Sequence, residues 1–378
     1  LRGPRPTLIM TATDDYFDID GAWTSFRQAK RFYARLGFPE RMDLLETPGG
    51  HGFPPAMRVA ATRWMRRWLL HVDDAIVETE FPVATDQELQ CTPRGEVMLL
   101  DGARSVFDLN ADLENQLATK RAELWRESSV GDAMESVRQI TGIRPLADLP
   151  NMQWNKTGTI QREEYHVDKL VLQPEPGIWL PALVAVPKRP TGDAWLYLHD
   201  QGKQIDAEPG GRIEKLVHQG HLVLAVDLRG VGETRSQGKH SYHRYLQPEW
   251  RESSIAYLLG TTYLAMRAEE ILQAARFLQE YENSGDSRPV HLMSIGRIGP
   301  PALHAAALEP QVFASITLKN SLASWANVVH TPLAKNQFVN LVHGALIAYD
   351  LPDLLKTLPP QKTTVLQPFD AREEPLDR

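Results

Sequence analysis

Only one cysteine, Cys91, stands in 378 residues. That excludes an internal disulfide framework and any multi-cysteine metal site, although it does not fix the redox compartment. Long apolar runs are missing too, and no stretch approaches the roughly 18 residues that a membrane-spanning helix needs. Basic residues are not in excess. With 41 Lys and Arg against 48 Asp and Glu, the formal net charge is −7, and the scattered cations offer no footprint for a nucleic-acid backbone. The 12 histidines contain no H-x-x-x-H or H-E-x-x-H pair, so neither a zinc site nor a cofactor is expected. Nucleic acid and membrane drop out as partners; oligomeric state is not legible.

What is present is ordinary for a globular protein: 42% hydrophobic residues and a mean hydropathy of −0.34. At about 100–200 residues per domain, the length suggests two domains or one with attachments. The chain opens on Leu1 and turns at once into GPRPTLIMTATDD, a turn followed by a buried strand, and is read as a piece of a longer chain.

Along the chain, Leu8–Ala12 predicts a short strand with an acidic loop behind it. Helical spacing of Trp23, Phe26, Phe32 and Tyr33 predicts a helix over Trp23–Leu36 that stops at Gly37. A strand at Met42–Glu46 leads to PGGHGF, and Met57–Leu70 predicts an amphipathic helix carrying Trp64 and Trp68. Residues 1–75 thus look like the C-terminal part of one α/β domain. Residues 76–150 change character, reading as a connector with helices near Asn110–Ser128 and Gly131–Thr141. Residues 151–378 resume the alternation: a hairpin of Tyr165–Leu172 with Trp179–Val186, then strands at Ala194–Leu198, Leu222–Val226, Val290–Met293, Ala314–Leu318 and Thr363–Leu366, with a long helix over Tyr257–Tyr281. Such alternation implies a mostly parallel sheet covered on both faces. PRPTLIMTATDD and PQKTTVLQPFDA share one form, so the chain reads as a tandem array cut out of phase, beginning and ending near the same point of one unit.

Three motifs carry chemistry. An acid on the loop after Leu8–Ala12 and His51 on the next loop have the order of the acid and base of an α/β serine hydrolase. There the acid fixes the imidazole tautomer and the imidazole takes the nucleophile's proton. Asp15 fits the strand-end pattern best, with Asp14 and Asp18 as competitors; Asp14, Asp18 and Asp20 also suit the positive end of the following helix. The second motif, VHLMSIGRIGPPALHAAAL, has the strand, tight glycine turn and Ala-rich helix of a nucleophile elbow, but the nucleophile position falls on Gly296, which has no hydroxyl. Ser294 lies two residues early and would need a slipped turn to act. A dinucleotide turn at SIGRIG matches only part of the G-x-G-x-x-G pattern. In the third, His199-Asp200-Gln201-Gly202 sits where a hydrolase loop supplies an oxyanion-hole N–H, and DLRGVGET resembles the turn after the next strand. Trp64, Trp68, Trp125 and Trp325 read as packing residues, and Cys91 has no role. Trp250 and Tyr242, in RSQGKHSYHRYLQPEW, read as exposed aromatics suited to a glycan.

Together these segments resemble the tandem α/β-hydrolase carbohydrate esterases, the acetylxylan-esterase-like or prolyl-oligopeptidase-like group, over essentially the whole chain. TATDDYFDIDGAW with PGGHGF is similar to the acid-and-His end of their catalytic domain. ELQCTPRGEVMLLDGARSVFDLN resembles their joining segment, and SIGRIGPPALHAAALEP with GALIAYDLPDLL their second domain. The resemblance implies an α/β-hydrolase fold, Asp15 as acid, His51 as base and an upstream Ser. It also implies an acylated polysaccharide or oligosaccharide substrate, and a secreted or periplasmic location. The second unit, with Gly296 at the elbow and no His-bearing loop after Asp370, is expected to be a pseudohydrolase, and the chain alone inactive. Its alternative role is noncatalytic: glycan binding or domain support.

Overall fold

Alternation along the apolar strands decides how the protein is layered. In the computed structural model, which describes residues 2–190, 192–236, 249–282 and 288–376, the chain divides into two compact units, Leu1–Val97 and Met98–Arg378.

The first unit is built on two parallel strands, β1 (Thr7–Ala12) and β2 (Met42–Thr47), in register from Thr7 opposite Met42 to Ala12 opposite Thr47. Helix α1 (Ile19–Arg35) begins where the Asp18 carboxylate accepts the Gly21 N–H at 2.7 Å, a side-chain cap on an otherwise orphaned donor. Helix α2 (Pro55–Met65) opens on a proline, whose missing N–H costs nothing at that position. The predicted helix over Met57–Leu70 winds regularly only to Met65; Arg66–Leu70 form a π turn that ends at left-handed His71. Trp64 and Trp68 meet edge to face at 5.7 Å. Cys91 is exposed.

The second unit holds an eight-stranded sheet: β3 (Gln153–Gln161), β4 (Tyr165–Gln173), β5 (Leu180–Pro187), β6 (Ala194–His199), β7 (Leu222–Val226), β8 (Val290–Ile295), β9 (Ser315–Lys319) and β10 (Thr363–Leu366). Its order is β10-β9-β8-β6-β7-β5-β4-β3. The five strands from β10 to β7 run parallel, and β5, β4 and β3 are antiparallel. Because side chains alternate along a strand, Leu196 and Leu198 of β6 enter a large core on one face while Tyr197 enters a smaller one on the other. Helices α3 (Val106–Glu127) and α4 (Val130–Thr141) begin inside residues 76–150 and belong to this unit. The Arg121 guanidinium donates to Glu114 at 2.9 Å and to the Leu346 carbonyl at 2.7 Å, and Trp125 Nε1 donates to the Ala348 carbonyl at 2.8 Å. Burying Arg121 and Glu114 is tolerable because each has its opposite charge in place.

The long helix expected over Tyr257–Tyr281 is two. After the short α5 (Arg212–His218), α6 (Trp250–Leu258) ends near Gly260, whose φ of 78° a helix cannot contain, and α7 (Tyr263–Glu280) restarts with Thr262 as cap. Trp250 is half-buried at the start of α6 rather than exposed, and Tyr242 lies outside the described residues. Strand β3 escapes prediction because QWNKTGTIQ is almost wholly exposed and shows no apolar run. Helix α8 (Gly299–Leu308) is buried along its whole length, and α9 (Trp325–His330) and α10 (Leu351–Thr357) follow.

Within this core His304 is fully buried, with Nδ1–H donating to the Pro300 carbonyl at 2.7 Å and Nε2 accepting from the Tyr349 hydroxyl at 2.9 Å. Burial pushes its pKa down from 6.5 to about 4, against the Pro300 bond, which favours the charged form. An unfolded imidazole takes up its proton near pH 6.5 and the folded one only near 4, so this contribution is complete above 6.5 and is lost as pH falls toward 4. Urea unfolding should therefore show His304 costing about 2 kcal/mol of stability between pH 7 and pH 5. His304→Gln should be less stable at pH 7 yet lose correspondingly less over that interval; equal losses would show that His304 does not govern acid sensitivity.

Candidate functional site

Parallel strands deliver their loops to one edge of a sheet, the edge at their carboxyl ends, where ligands of such sheets usually bind. In the first unit that edge carries the loops after β1 and β2. They are tied by backbone bonds from Thr13 N–H to the Thr47 carbonyl and from Asp14 N–H to the Gly49 carbonyl, both 2.9 Å. Gly49, at φ 97°, makes the turn that a side chain would strain. Glu46 adds a clamp, accepting from Thr13 Oγ1 at 2.8 Å and from Trp23 Nε1 at 2.7 Å.

This frame brings Asp15 and His51 together. The carboxylate lies 3.0 and 3.2 Å from His51 Nδ1 and also accepts the Phe17 N–H at 3.2 Å. The Asp15 side chain is 9% exposed and that of His51 57%. The acid is thus sheltered and the outer imidazole nitrogen reachable. Desolvation works to raise the Asp15 carboxyl, but His51 and the backbone N–H groups hold it below the usual range. The Tyr16 ring packs on the imidazole at 4.6 Å, its hydroxyl 3.4 Å from Nε2. Of the competing acids, Asp18 caps α1, Asp20 lies in its first turn, and Asp14 is exposed. Tyr16 and the Glu46 clamp carry no spacing signal and were not legible in the sequence.

The corresponding edge of the second unit is arranged differently. Gly296 follows β8 at φ 77°, and the chain enters α8 with Gly299 tight against Ser321. This is elbow geometry, with small residues where helix and strand approach closely. Yet a Cβ built on Gly296 would sit inside contact distance of the Asp200 carboxylate. Asp200 Oδ2 accepts the Arg297 N–H at 3.1 Å and lies 3.6 Å from Arg297 Nε. Burial opposes ionisation of Asp200, but His199 and Arg297 hold its carboxyl below the ordinary range. The loop expected to offer an oxyanion N–H has none to spare. Asp200 N–H goes to the Ile295 carbonyl, Gln201 N–H to His199 Nδ1, Gly202 N–H to the His199 carbonyl and Lys203 N–H to buried Asp227.

Ser294 points into the protein and is 0% exposed. Asp370, the counterpart of Asp15 in the second strand–acid segment, spends Oδ1 on the N–H groups of Arg372 and Glu374, at 2.8 and 2.9 Å. A dinucleotide phosphate at SIGRIG would meet the Asp200 carboxylate already seated on the Arg297 N–H, a repulsive arrangement. Trp325 is buried against His304 and Tyr349, while Trp64, Trp68 and Trp125 are half-buried.

No family model and no curated protein matches the sequence. Solved structures do. A protein described as a putative acetyl xylan esterase, from Bacteroides fragilis, is similar over 71% of this chain and 77% of its own, at 14% identity and a TM-score of 0.52. Acetyl xylan esterase 1 from Thermoanaerobacterium sp. matches 65% of this chain and 89% of its own, at 16% identity and a TM-score of 0.37. An acetyl xylan esterase from Paenibacillus sp. matches 64% and 76%, at 18% identity and a TM-score of 0.39. The fold is that of the α/β hydrolases.

Gly296→Ser should lower stability by about 2–4 kcal/mol, since it forces a side chain both into the left-handed region and onto Asp200. Adding Asp200→Gly should recover part of that loss in thermal unfolding. A single variant as stable as the parent would mean that the carboxylate does not fill this space.

Proposed function

We propose that the first unit supplies the acid and base of a serine ester hydrolase that removes acyl groups, chiefly acetyl, from a polysaccharide such as xylan, with its attacking serine upstream of residue 1. The observation that carries this reading is the Asp15–His51 pair: Nδ1 is held by a sheltered carboxylate at 3.0 Å, the imidazole is 57% exposed, and its Nε2 meets only the exposed Tyr16 hydroxyl, at 3.4 Å, which a serine hydroxyl would have to replace. The open edge of β1 supports the upstream sequence. This apolar strand pairs only with β2 among the described residues, and four of its six residues are only half-buried. Parallel strands are ordinarily covered on both faces and rarely stand as pairs. A polymer substrate is met outside the cell, which fits a secreted or periplasmic enzyme.

In this mechanism His51 Nε2 takes the proton of the serine hydroxyl as its oxygen attacks the acyl carbon, and Asp15 steadies the resulting imidazolium. His51 then returns the proton to the departing sugar oxygen, leaving an acyl-enzyme. Water enters by the same proton transfer, releasing the carboxylic acid and restoring the serine.

A second reading concerns the second unit: a noncatalytic hydrolase-fold module that binds glycan or supports the catalytic domain. Gly296 without a hydroxyl, Asp200 in the space beside it and the committed loop N–H groups favour it.

Turnover of a chromogenic acetyl ester and of acetylated xylan should be absent from the 378-residue chain and present in a polypeptide extended upstream. In that longer form Asp15→Asn should reduce kcat roughly 10⁴-fold, the scale on which a triad's acid acts. Equal activity of the short and long forms would overturn the upstream serine. Turnover that survives His51→Ala in the long form would overturn the noncatalytic reading of the second unit.

A further inference from the structure

At the carboxyl edge of the large sheet the backbone is held in an uncommon conformation again and again. Asn320, Asn336, Gln367 and Glu373 have φ of 50°, 53°, 49° and 65°; Gly296, at 77°, joins them in a conformation that glycine adopts freely. All five line one cleft of about 550 Å³, together with Asp200 and Arg297. Eight non-glycine residues among those described have positive φ, so half of them converge on this cleft. Left-handed backbone outside glycine persists where surrounding structure over-determines it, and it concentrates at ligand sites. The topology says the same thing. Asp200, Gly296, Asn320 and Gln367 directly follow β6, β8, β9 and β10, the carboxyl ends of four adjacent parallel strands.

The lining fixes the chemistry of the ligand. Asp200 and Arg297 form a pair whose charges cancel. The one further carboxylate, Glu373, accepts from Asn336 Nδ2 at 3.1 Å. An anion would meet two carboxylates against one guanidinium and the His199 ring, both already engaged with Asp200, and a cation would have only Glu373. The exposed side chains of Asn320 and Gln367 each offer both amide donors and a carbonyl acceptor, which suits hydroxyl groups that give and take hydrogen bonds at once. We propose that this cleft binds a neutral saccharide unit and leaves it chemically unchanged. The inference rests on the noncatalytic reading of the second unit and gives that reading a site and a ligand class. Substrate would be held at the degenerate elbow while the chemistry proceeds elsewhere.

Saturation-transfer NMR and calorimetry on the full chain, with xylotriose and cellotriose as neutral probes, trigalacturonate as the anionic one and a glucosamine trimer as the cationic one, test the proposal. The expected result is millimolar or tighter binding of a neutral trimer, weakened tenfold or more, about 1.4 kcal/mol, by Asn320→Gly with Gln367→Gly. Those substitutions keep the backbone conformation accessible while removing the amides, so the thermal midpoint should hold. Glu373→Gln is a second variant should the double one misfold, and it should weaken the same trimer. Three results would overturn the proposal: no neutral trimer bound, binding indifferent to every variant, or a charged trimer preferred. Ester turnover surviving His51→Ala in the longer polypeptide would instead strike the noncatalytic reading itself, so the two failures are distinguishable.

Discussion

One carboxylate sets the character of the large unit. Asp200 sits where the side chain of an elbow residue would begin and accepts the backbone N–H that a hydrolase of this fold directs at the developing oxyanion. Gly296 is the residue that lets this happen, since only a missing Cβ leaves room for the carboxylate, and φ of 77° is easy for glycine. The two positions depend on each other. Arg297 completes the set from the next position, and the Asn340 amide fixes the Arg297 carbonyl at 3.0 Å.

The acids behind β1 and β10 illustrate how similar strand-and-loop segments diverge in use. Both strands pair in parallel, and both lead to an aspartate in a turn. Asp15 turns outward from its loop to a histidine on the neighbouring one, and that neighbouring loop is held by β2. Asp370 folds back on its own turn and satisfies two backbone donors. A carboxylate is a strong acceptor in either setting. What distinguishes the two is whether an imidazole is delivered beside it.

Much of the frame was legible because buried parallel strands announce themselves. LVLAV is buried at every position, and its apolar run can be read without a partner. The Asp15 and His51 loops could be placed by order along the chain, but order could not choose among the acids: Asp18 caps α1, and of Asp14 and Asp15 only Asp15 lies against His51 Nδ1. Other features were hidden for physical reasons. QWNKTGTIQ is an edge strand made by its neighbour, since it buries almost nothing. The break at Gly260 was a single glycine in a helical pattern, a weak signal against strong flanking periodicity. The cleft at Asn320, Asn336 and Gln367 left no trace at all, because it is assembled from strand ends far apart in sequence and from backbone angles that residue identity does not dictate.

The edge of β1 has a practical side. A half-buried apolar strand with one row of amides and carbonyls unpaired among the described residues is a template for any extended segment that reaches it. Neither Pro nor Lys interrupts TLIMTA, the usual deterrents on such edges. An edge of that kind is where a further strand would pair.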